Sequence, residues 1–309
     1  MKINIVIPCY NEQEVLTKTI EVLGKLSGRI KQETAVDTQL LLVDDGSNDK
    51  TWSMIKEAAK THSLVSGIKL SHNRGHQNAL WAGMEASIDH YDAMVSIDAD
   101  LQDDENVIVD MVRQLQEGKD IVYGVRKERK TDTFFKRFTA QSFYKILQIA
   151  DKEVLYNHAD FRLMSNRALK ALMQYPERNL FLRAIVRELG FKEGYVYYDR
   201  KAREAGESKY PLKKMLAFSI DGITSFSVAP LKFITFIGLA MTLVAIVMIV
   251  FALVEHFNGA TIQGWTSILV SMWFIGGIIT TGVGITGLYI GKIYTEVKRR
   301  PRYFIEERV

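Results

Sequence analysis

The chain has 309 residues, which is enough for one large domain or two modest ones with a substantial core. Its 40 Lys and Arg side chains nearly balance 36 Asp and Glu, so no strong overall charge points to a nucleic-acid partner. The single cysteine, Cys9, excludes an internal disulfide and a multi-cysteine metal site.

Residues 1–210 alternate between short apolar runs and helix-length periodic segments. The apolar runs predict strands over Ile3–Ile7, Leu40–Val43, Val65–Leu70, Ala93–Ile97 and Ile121–Tyr123. The periodic segments predict helices near Glu14–Ile30, Lys50–Thr61, His76–Ile88 and Glu105–Glu117. This alternation is typical of βαβ units, so we expect an α/β fold with a mainly parallel, Rossmann-like sheet.

Polar and acidic residues follow each of the first four predicted strands. The four segments read PCYNE, DDGSNDKT, SHNRGHQNAL and DADLQDD in chain order. Ligands of such sheets bind beyond the carboxyl ends of the strands, so these segments mark the expected site. Turn formation and helix capping account for most of DDGSNDKT, but not for two adjacent acids, Asp44 and Asp45, at the strand end.

The segment after the fourth strand contains a D-x-D pair, Asp98 and Asp100. On an extended or turning backbone both carboxylates face one side, and such hard oxygen ligands suit Mg²⁺ or Mn²⁺. An ordinary acidic turn is the competing interpretation, because a D-x-D pair alone is weak evidence. The position after a strand favours the metal. Asp104 and Glu105 are instead expected to start the next helix.

Two later segments have helical spacing but an ambiguous position. Phe134–Ile149 predicts an amphipathic helix that lies near the membrane, forms a lid or packs in the core. Residues 211–230 predict an interfacial helix, because they directly precede a long apolar run.

Residues 233–254 and 266–291 carry no charged side chain and are each long enough to cross a bilayer, which takes about 20 apolar residues. Residues 255–265 contain no Lys or Arg, whereas basic residues precede the first span and follow the second. The positive-inside rule therefore predicts a multi-pass protein of the cell membrane, with both termini and the N-terminal α/β domain in the cytoplasm.

The predicted organisation has three parts. Residues 1–210 form the cytoplasmic α/β domain, 211–230 the interfacial region, and 231–309 the two spans with a basic cytoplasmic tail. The G-x-G-x-x-G match at 282–287 lies inside the second span and follows no strand, so it does not predict a dinucleotide site. Glycines there, such as Gly287 and Gly291, favour close helix packing and a homo-oligomer.

Six motifs in order carry a resemblance to a known family: VIPCYNE, VDDGSNDKT, NRGHQNAL, DADLQDD, DFRLMS and GESKY, followed by the two apolar spans. With them the chain resembles family-2 glycosyltransferases of the GT-A fold. It is most similar to the polyisoprenyl-phosphate glycosyltransferases, relatives of dolichol-phosphate mannose synthase and the bactoprenol glucosyltransferases. In place of the prolines with which those enzymes commonly continue DLQD, this chain has Asp104 and Glu105.

The resemblance implies an activity and two substrates. A hexose would move with inversion from a nucleotide sugar, UDP-glucose or UDP-N-acetylglucosamine, to undecaprenyl (polyprenyl) phosphate at the cytoplasmic membrane face. The lipid-linked product would serve cell-envelope glycan modification, with Mg²⁺ or Mn²⁺ as cofactor.

The resemblance also implies roles for the residues that match its motifs. The nucleotide would be held by Pro8, Tyr10, Glu12, Asp45, Asp98 and Ala99. The metal would be held by Asp98, Asp100 and Gln102, with Asp103 in support. Donor or acceptor phosphates would be contacted by Arg126, Arg203, Ser208 and Lys209.

Asp160 matches the family's candidate catalytic acid, although composition alone gives it no role beyond a cap or a surface residue. A lipid phosphate is already an anion and needs little deprotonation. Asp160 therefore either acts as a base or only orients the acceptor, and both roles stay open.

Two other functions are weighed against this one. A processive polysaccharide synthase would be expected to carry a Q-x-x-R-W motif, which the sequence lacks, and more spans. A non-catalytic membrane scaffold or transporter is disfavoured by the intact acidic loop and by the small number of spans.

Overall fold

The computed structural model describes residues 1–127, 158–178, 180, 182–199, 231, 234–240, 243–244, 246–247, 250 and 264–309. These residues belong to two compact units. The first contains the described residues up to 199 together with Arg300–Val309, and the second contains those from 231 to Arg299.

The first unit is built on an eight-stranded sheet. Its strands are β1 (Lys2–Cys9), β2 (Asp37–Asp44), β3 (Val65–Leu70), β4 (Ala93–Ser96), β5 (Ile121–Arg126), β6 (His158–Ser165), β7 (Glu193–Tyr198) and β8 (Ile305–Arg308). Its helices are α1 (Leu16–Thr34), α2 (Thr51–Thr61), α3 (His76–Ser87), α4 (Ile108–Gln116), α5 (Asn166–Leu172) and α6 (Leu182–Glu188), with one 3₁₀ turn, Glu105–Val107, directly before α4. All five predicted strands and the four helices predicted between them are confirmed.

The sheet is mixed, with the order β7-β5-β6-β4-β1-β2-β3-β8. β1 lies parallel between β2 and β4, β2 is parallel to β3, and β5 is parallel to β7. β6 runs antiparallel between β4 and β5, and β8 runs antiparallel along β3. The prediction of a mainly parallel sheet thus describes its centre and misses the antiparallel β6 and β8.

The centre of the sheet is buried on both faces, which explains why its strands are so apolar. Ile3, Ile5 and Ile7 of β1 enter the core cluster that also contains Leu16 and Leu23 of α1. Each such buried side chain contributes roughly 1.5–3 kcal/mol. The opposite face of β1 meets α3, where a Cβ on Gly83 would lie 2.2 Å from Val6 Cγ1. A glycine at this point lets the helix approach the strand.

The end of the chain returns to the first unit as an edge strand. β8 pairs with β3, and the Gly67 N–H donates to the Val309 carbonyl at 2.8 Å. The sequence predicts only a basic tail after the second span. A four-residue strand reading IEER has no apolar run that could have predicted it.

The second unit contains α7 (Trp265–Lys298), which includes the predicted span 266–291. Within the part of the chain that the structure describes, one segment, Phe274–Lys298, is long and apolar enough to cross a membrane. The predicted first span, 233–254, is described only in part, and its described residues are helical. A Cβ on Gly282 would lie 3.3 Å from Ile234 Cγ2, so two apolar segments of this unit approach closely. The predicted helices at 134–149 and 211–230 lie outside the described residues.

Candidate active site

The loops after β1 and β2 are joined by hydrogen bonds at the carboxyl edge of the sheet. The Asn11 N–H donates to Ser47 Oγ at 2.9 Å, and Asn11 Oδ1 accepts from the Asn48 N–H at 2.9 Å. The Glu12 N–H donates to Thr51 Oγ1, also at 2.9 Å. Because these bonds fix both loops together, the side chains they carry have defined positions.

The predicted nucleotide-binding residues of the first loop differ in accessibility. Pro8 is buried at the end of β1, Glu12 is half-buried, and Tyr10 is 41% exposed. Tyr10 is therefore the member of this group whose ring is most accessible to a ligand.

Asp45 is buried and shapes the start of α3. Its Oδ1 accepts from the Arg74 N–H at 2.7 Å and its Oδ2 from the Gly75 N–H at 2.8 Å. Burial raises the pKa of Asp45, while these two hydrogen bonds oppose the rise. Gly75 has φ +86°, a left-handed conformation that favours glycine. Asp44 and Asp45, the two acids that turn formation and capping do not explain, are both buried. Asp45 holds the loop that leads to His76.

The acidic loop after β4 is anchored directly after Asp98. Thr19 Oγ1 of α1 donates to the carbonyl oxygen of Ala99 at 2.6 Å. Asp100 Oδ1 accepts from the Gln102 N–H at 3.2 Å, which closes a short turn. Gln102 is buried, whereas the Asp98 side chain is 45% exposed. The loop therefore presents Asp98 at the surface on a constrained backbone.

Asp98 lies among other acids and one histidine. Desolvation by the surrounding protein raises the pKa of Asp98, and so do the negative charges of Asp103, Asp160 and Asp100. The nearby His76 acts in the opposite direction. Such crowding of carboxylates is an environment that a divalent cation would stabilise. Among the described residues, no group of three or more His, Cys, Asp or Glu side chains is arranged to hold a metal ion. Asp98 and Asp100 fit a cation that takes one or two protein carboxylates and completes its shell with substrate oxygens.

Asp103 supports the acidic loop from inside the protein. Its Oδ1 accepts from Arg126 Nη2 at 2.8 Å and from the Tyr198 hydroxyl at 2.7 Å, which ties the loop to β5 and β7. Burial disfavours the charged form of Arg126 and so acts to lower its pKa. The Asp103 carboxylate outweighs burial and raises the pKa of the guanidinium. Arg126, predicted to contact a phosphate, thus uses Nε and Nη2 to hold Asp103.

Asp104 begins the next helical segment, as the sequence predicted. Its carboxylate accepts from the Asn106 N–H at 3.2 Å and caps the 3₁₀ turn that leads into α4. Glu105 is the first residue of that turn and is buried.

Asp160 is a buried carboxylate surrounded by basic groups. Its Oδ1 accepts from Arg162 Nη2 at 2.7 Å, and its Oδ2 accepts from Arg183 Nη2 at 3.1 Å. Burial acts against ionisation, but Arg183 and Arg162 outweigh it and lower the pKa of Asp160 below the ordinary value. Asp160 is therefore ionised at neutral pH and is a weak base there.

His76 connects the acidic loop to Asp160. As the first residue of α3, it places Nε2 3.7 Å from Asp98 Oδ1 and 3.8 Å from Asp160 Oδ2. The structure thus brings two of the predicted site residues, Asp98 and Asp160, close to the same nitrogen of one imidazole.

Sequence reasoning missed three residues of this cluster: His76, Arg162 and Arg183. His76 stands in a segment already assigned to the ligand edge, but a lone histidine has no spacing that would mark it as functional. Arg162 follows Asp160 by two positions on a strand and so shares its face, which could have revealed it. Arg183 lies on the short α6, and nothing in the sequence placed that helix. The predicted residues Arg203, Ser208 and Lys209 lie outside the described residues.

The chain is similar to several known proteins. A solved structure of S. aureus TarS 1–349 with UDP-GlcNAc has a TM-score of 0.48 and 15% identity, covering 73% of this chain and 66% of that one. The uncharacterized glycosyltransferase YkoT of Bacillus subtilis is 49% identical over 98% of this chain and 91% of its own length. The bactoprenol glucosyl transferase of Shigella phage SfII is 38% identical over 99% of this chain and 98% of its own length. Residues 4–190 match the model of glycosyl transferase family 2, and the chain belongs to that family.

Proposed function

We propose that the protein transfers a hexose, with inversion, from UDP-glucose or UDP-N-acetylglucosamine to polyprenyl (undecaprenyl) phosphate at the cytoplasmic face of the cell membrane. The product would supply a sugar for cell-envelope glycans. The observation that carries the proposal is the cluster of Asp98, His76 and Asp160 at the carboxyl edge of the sheet. Homology to a bactoprenol glucosyl transferase over nearly the whole chain supports the lipid acceptor.

The donor nucleotide is proposed to bind across the loops after β1, β2 and β4. Tyr10 offers an exposed ring for the base, and Pro8, Glu12 and Ala99 shape the surrounding wall. Asp45 contributes indirectly, because its carboxylate holds the backbone amides of Arg74 and Gly75.

We propose that Asp98, Asp100 and Gln102 would hold Mg²⁺ or Mn²⁺ at the donor diphosphate. When bound, the metal would neutralise charge that develops on the departing nucleoside diphosphate. Two sets of contacts keep the acidic loop in place for that role. Asp103 accepts hydrogen bonds from Arg126 and Tyr198. Thr19 donates to the Ala99 carbonyl oxygen.

The acceptor phosphate is proposed to approach Asp160 from the open side of the cluster. An anionic phosphate oxygen is already a competent nucleophile, and the low pKa of Asp160 favours an orienting role over a basic one. Arg183 is 36% exposed beside Asp160 and adds a cation for the phosphate. Arg203, Ser208 and Lys209 are also proposed to contact phosphate, and Arg126 would support the acidic loop through Asp103.

The membrane assignment is supported by Phe274–Lys298 and by the lipid carrier in the name of the phage relative. A second span over 233–254 and association of the glycine-rich spans into a homo-oligomer are part of the same proposal. The close approach of Gly282 and Ile234 supports packing of apolar helices at this point.

The deciding experiment incubates the purified full chain with undecaprenyl phosphate, Mn²⁺ or Mg²⁺ and a panel of radiolabelled nucleotide sugars. We expect one labelled lipid, from one donor, with a β-linkage by NMR. Labelled polymer would support a processive synthase instead, and no labelled product from any donor would support a non-catalytic scaffold. Either of these two results contradicts the proposal.

A further inference from the structure

The last ten residues, Arg300–Val309, form a segment that we name the C-terminal strap. Its β8 pairs with β3, and its Phe304 carbonyl accepts from the Ser71 N–H at 2.9 Å. Glu307 accepts from Trp52 Nε1 at 2.7 Å, and Glu306 lies 2.9 Å from Lys69 Nζ. These contacts attach the end of the strap to the edge of the sheet.

The beginning of the strap contacts a different part of the first unit. The Arg302 guanidinium carbon lies 4.0 Å from the centroid of the buried Trp81 ring on α3. Arg302 Nη2 also donates to the carbonyl oxygens of Tyr175 and Glu177, at 3.2 and 2.7 Å. Covering the edge of β3 requires only β8, so these contacts of Arg302 need another explanation.

A second contact reinforces the hold on α3. The Tyr303 hydroxyl donates to Glu85 Oε2 at 2.5 Å. The adjacent strap residues Arg302 and Tyr303 thus contact α3 at two positions one turn apart.

Arg302 contacts α3 and the segment after α5, and both are connected to the residues around Asp160. α3 begins with His76, which faces Asp160, and with Gln77, whose Oε1 accepts from the Leu182 N–H at 3.0 Å. The Leu182 carbonyl in turn accepts from Arg162 Nη1 at 3.0 Å, and the next residue is Arg183. Arg302 therefore connects, through α3 and through the stretch after α5, to every basic partner of Asp160 described above.

We propose that the C-terminal strap is a positioning element of the active site and that Arg302 is its principal positioning residue. It holds α3 against the chain between α5 and α6, so that His76, Arg162 and Arg183 keep their places around Asp160. The inference rests on the proposed function only in placing Asp160 at the reacting centre.

The test compares Arg302→Ala, Arg302→Lys and Tyr303→Phe with the control Arg300→Ala, an exposed strap arginine, in the full-length protein. We expect Arg302→Ala to lower kcat at least about tenfold with donor KM nearly unchanged, because small misplacement of catalytic groups has large effects. Arg302→Lys keeps the charge but not the planar stack and should fall between. Amide hydrogen exchange should accelerate in α3 and α6 and stay unchanged in β1.

Wild-type kcat and exchange in Arg302→Lys and Tyr303→Phe would overturn the proposal even if Arg302→Ala fails to fold. An equal loss of kcat in Arg300→Ala would also overturn it, since the effect would then follow charge rather than position. If wild-type protein makes no lipid-linked sugar, the proposed function fails, and the exchange measurements alone decide the role of the strap.

Discussion

At the scale of single residues, the site separates carboxylates that face a ligand from carboxylates that hold the fold. Asp44, Asp45 and Asp103 are buried, and each accepts hydrogen bonds from the protein. Asp98 is only half-buried and lies among other acids. The residue type is the same in each case, so only the partners distinguish the roles.

Asp160→Asn tests the role assigned to the buried acid. We expect turnover to fall at least about 100-fold, the scale of losing a positioned catalytic group. Stability should fall too, because Arg162 is fully buried, and breaking a buried ion pair costs about 3–5 kcal/mol. Turnover and thermal unfolding are measured together, with the exposed Asp110→Asn as control. Near-normal turnover with intact donor binding would contradict both an orienting and a basic role.

Asp100→Ala and Asp104→Ala test the division of the acidic loop. Asp100→Ala should abolish metal-dependent transfer and the metal-dependent part of the thermal shift produced by the donor nucleotide. Asp104→Ala removes a cap and should cost about 1 kcal/mol of stability with little loss of turnover. The thermal shift with and without Mn²⁺ gives a readout besides activity. Equal behaviour of the two variants would show that the division is wrong.

At the scale of elements, the regular part of the fold could be predicted and the irregular part could not. The alternation of apolar runs and helical segments predicted β1–β5 and α1–α4, because each buries a continuous face. α6 is only seven residues long, too short for its apolar spacing to be recognised, and β8 reads IEER, without an apolar run. The contact between His76 and Asp160 joins positions 84 residues apart, so it depends on the strand order, which local patterns do not encode.

Gly83→Ala tests the packing of α3 on the sheet. The new Cβ would lie 2.2 Å from Val6 Cγ1, so α3 or β1 must shift, at a cost of about 1–3 kcal/mol. The matched control is Gly28→Ala in α1, where a Cβ meets nothing within 4 Å. That exchange should stabilise the protein by about 0.5–1 kcal/mol, because alanine favours helix. Chemical unfolding of both variants measures the difference, and equal effects would contradict the tight packing.

At the scale of the whole molecule, the chain leaves the catalytic unit, forms an apolar helix and returns. α7 ends at Lys298, and the catalytic unit resumes at Arg300. A segment that the sequence marks only as a basic tail therefore completes the sheet that carries the site. The family motifs all lie before it, so the motifs do not mark the full extent of the catalytic unit.

Removal of residues 300–309 tests this completion. The truncated chain keeps every motif and the apolar helix but exposes the edge of β3, and unpaired strand edges promote association. It also loses the Arg302 contacts to α3. We expect a lower Tm, concentration-dependent aggregation and loss of turnover, measured in detergent-purified protein.

As a control, Glu306→Ala removes one exposed ion pair, worth at most about 1 kcal/mol, and should leave all three properties nearly unchanged. A truncated chain with wild-type Tm and turnover would show that the sheet is complete without β8 and that the tail only follows the membrane helix.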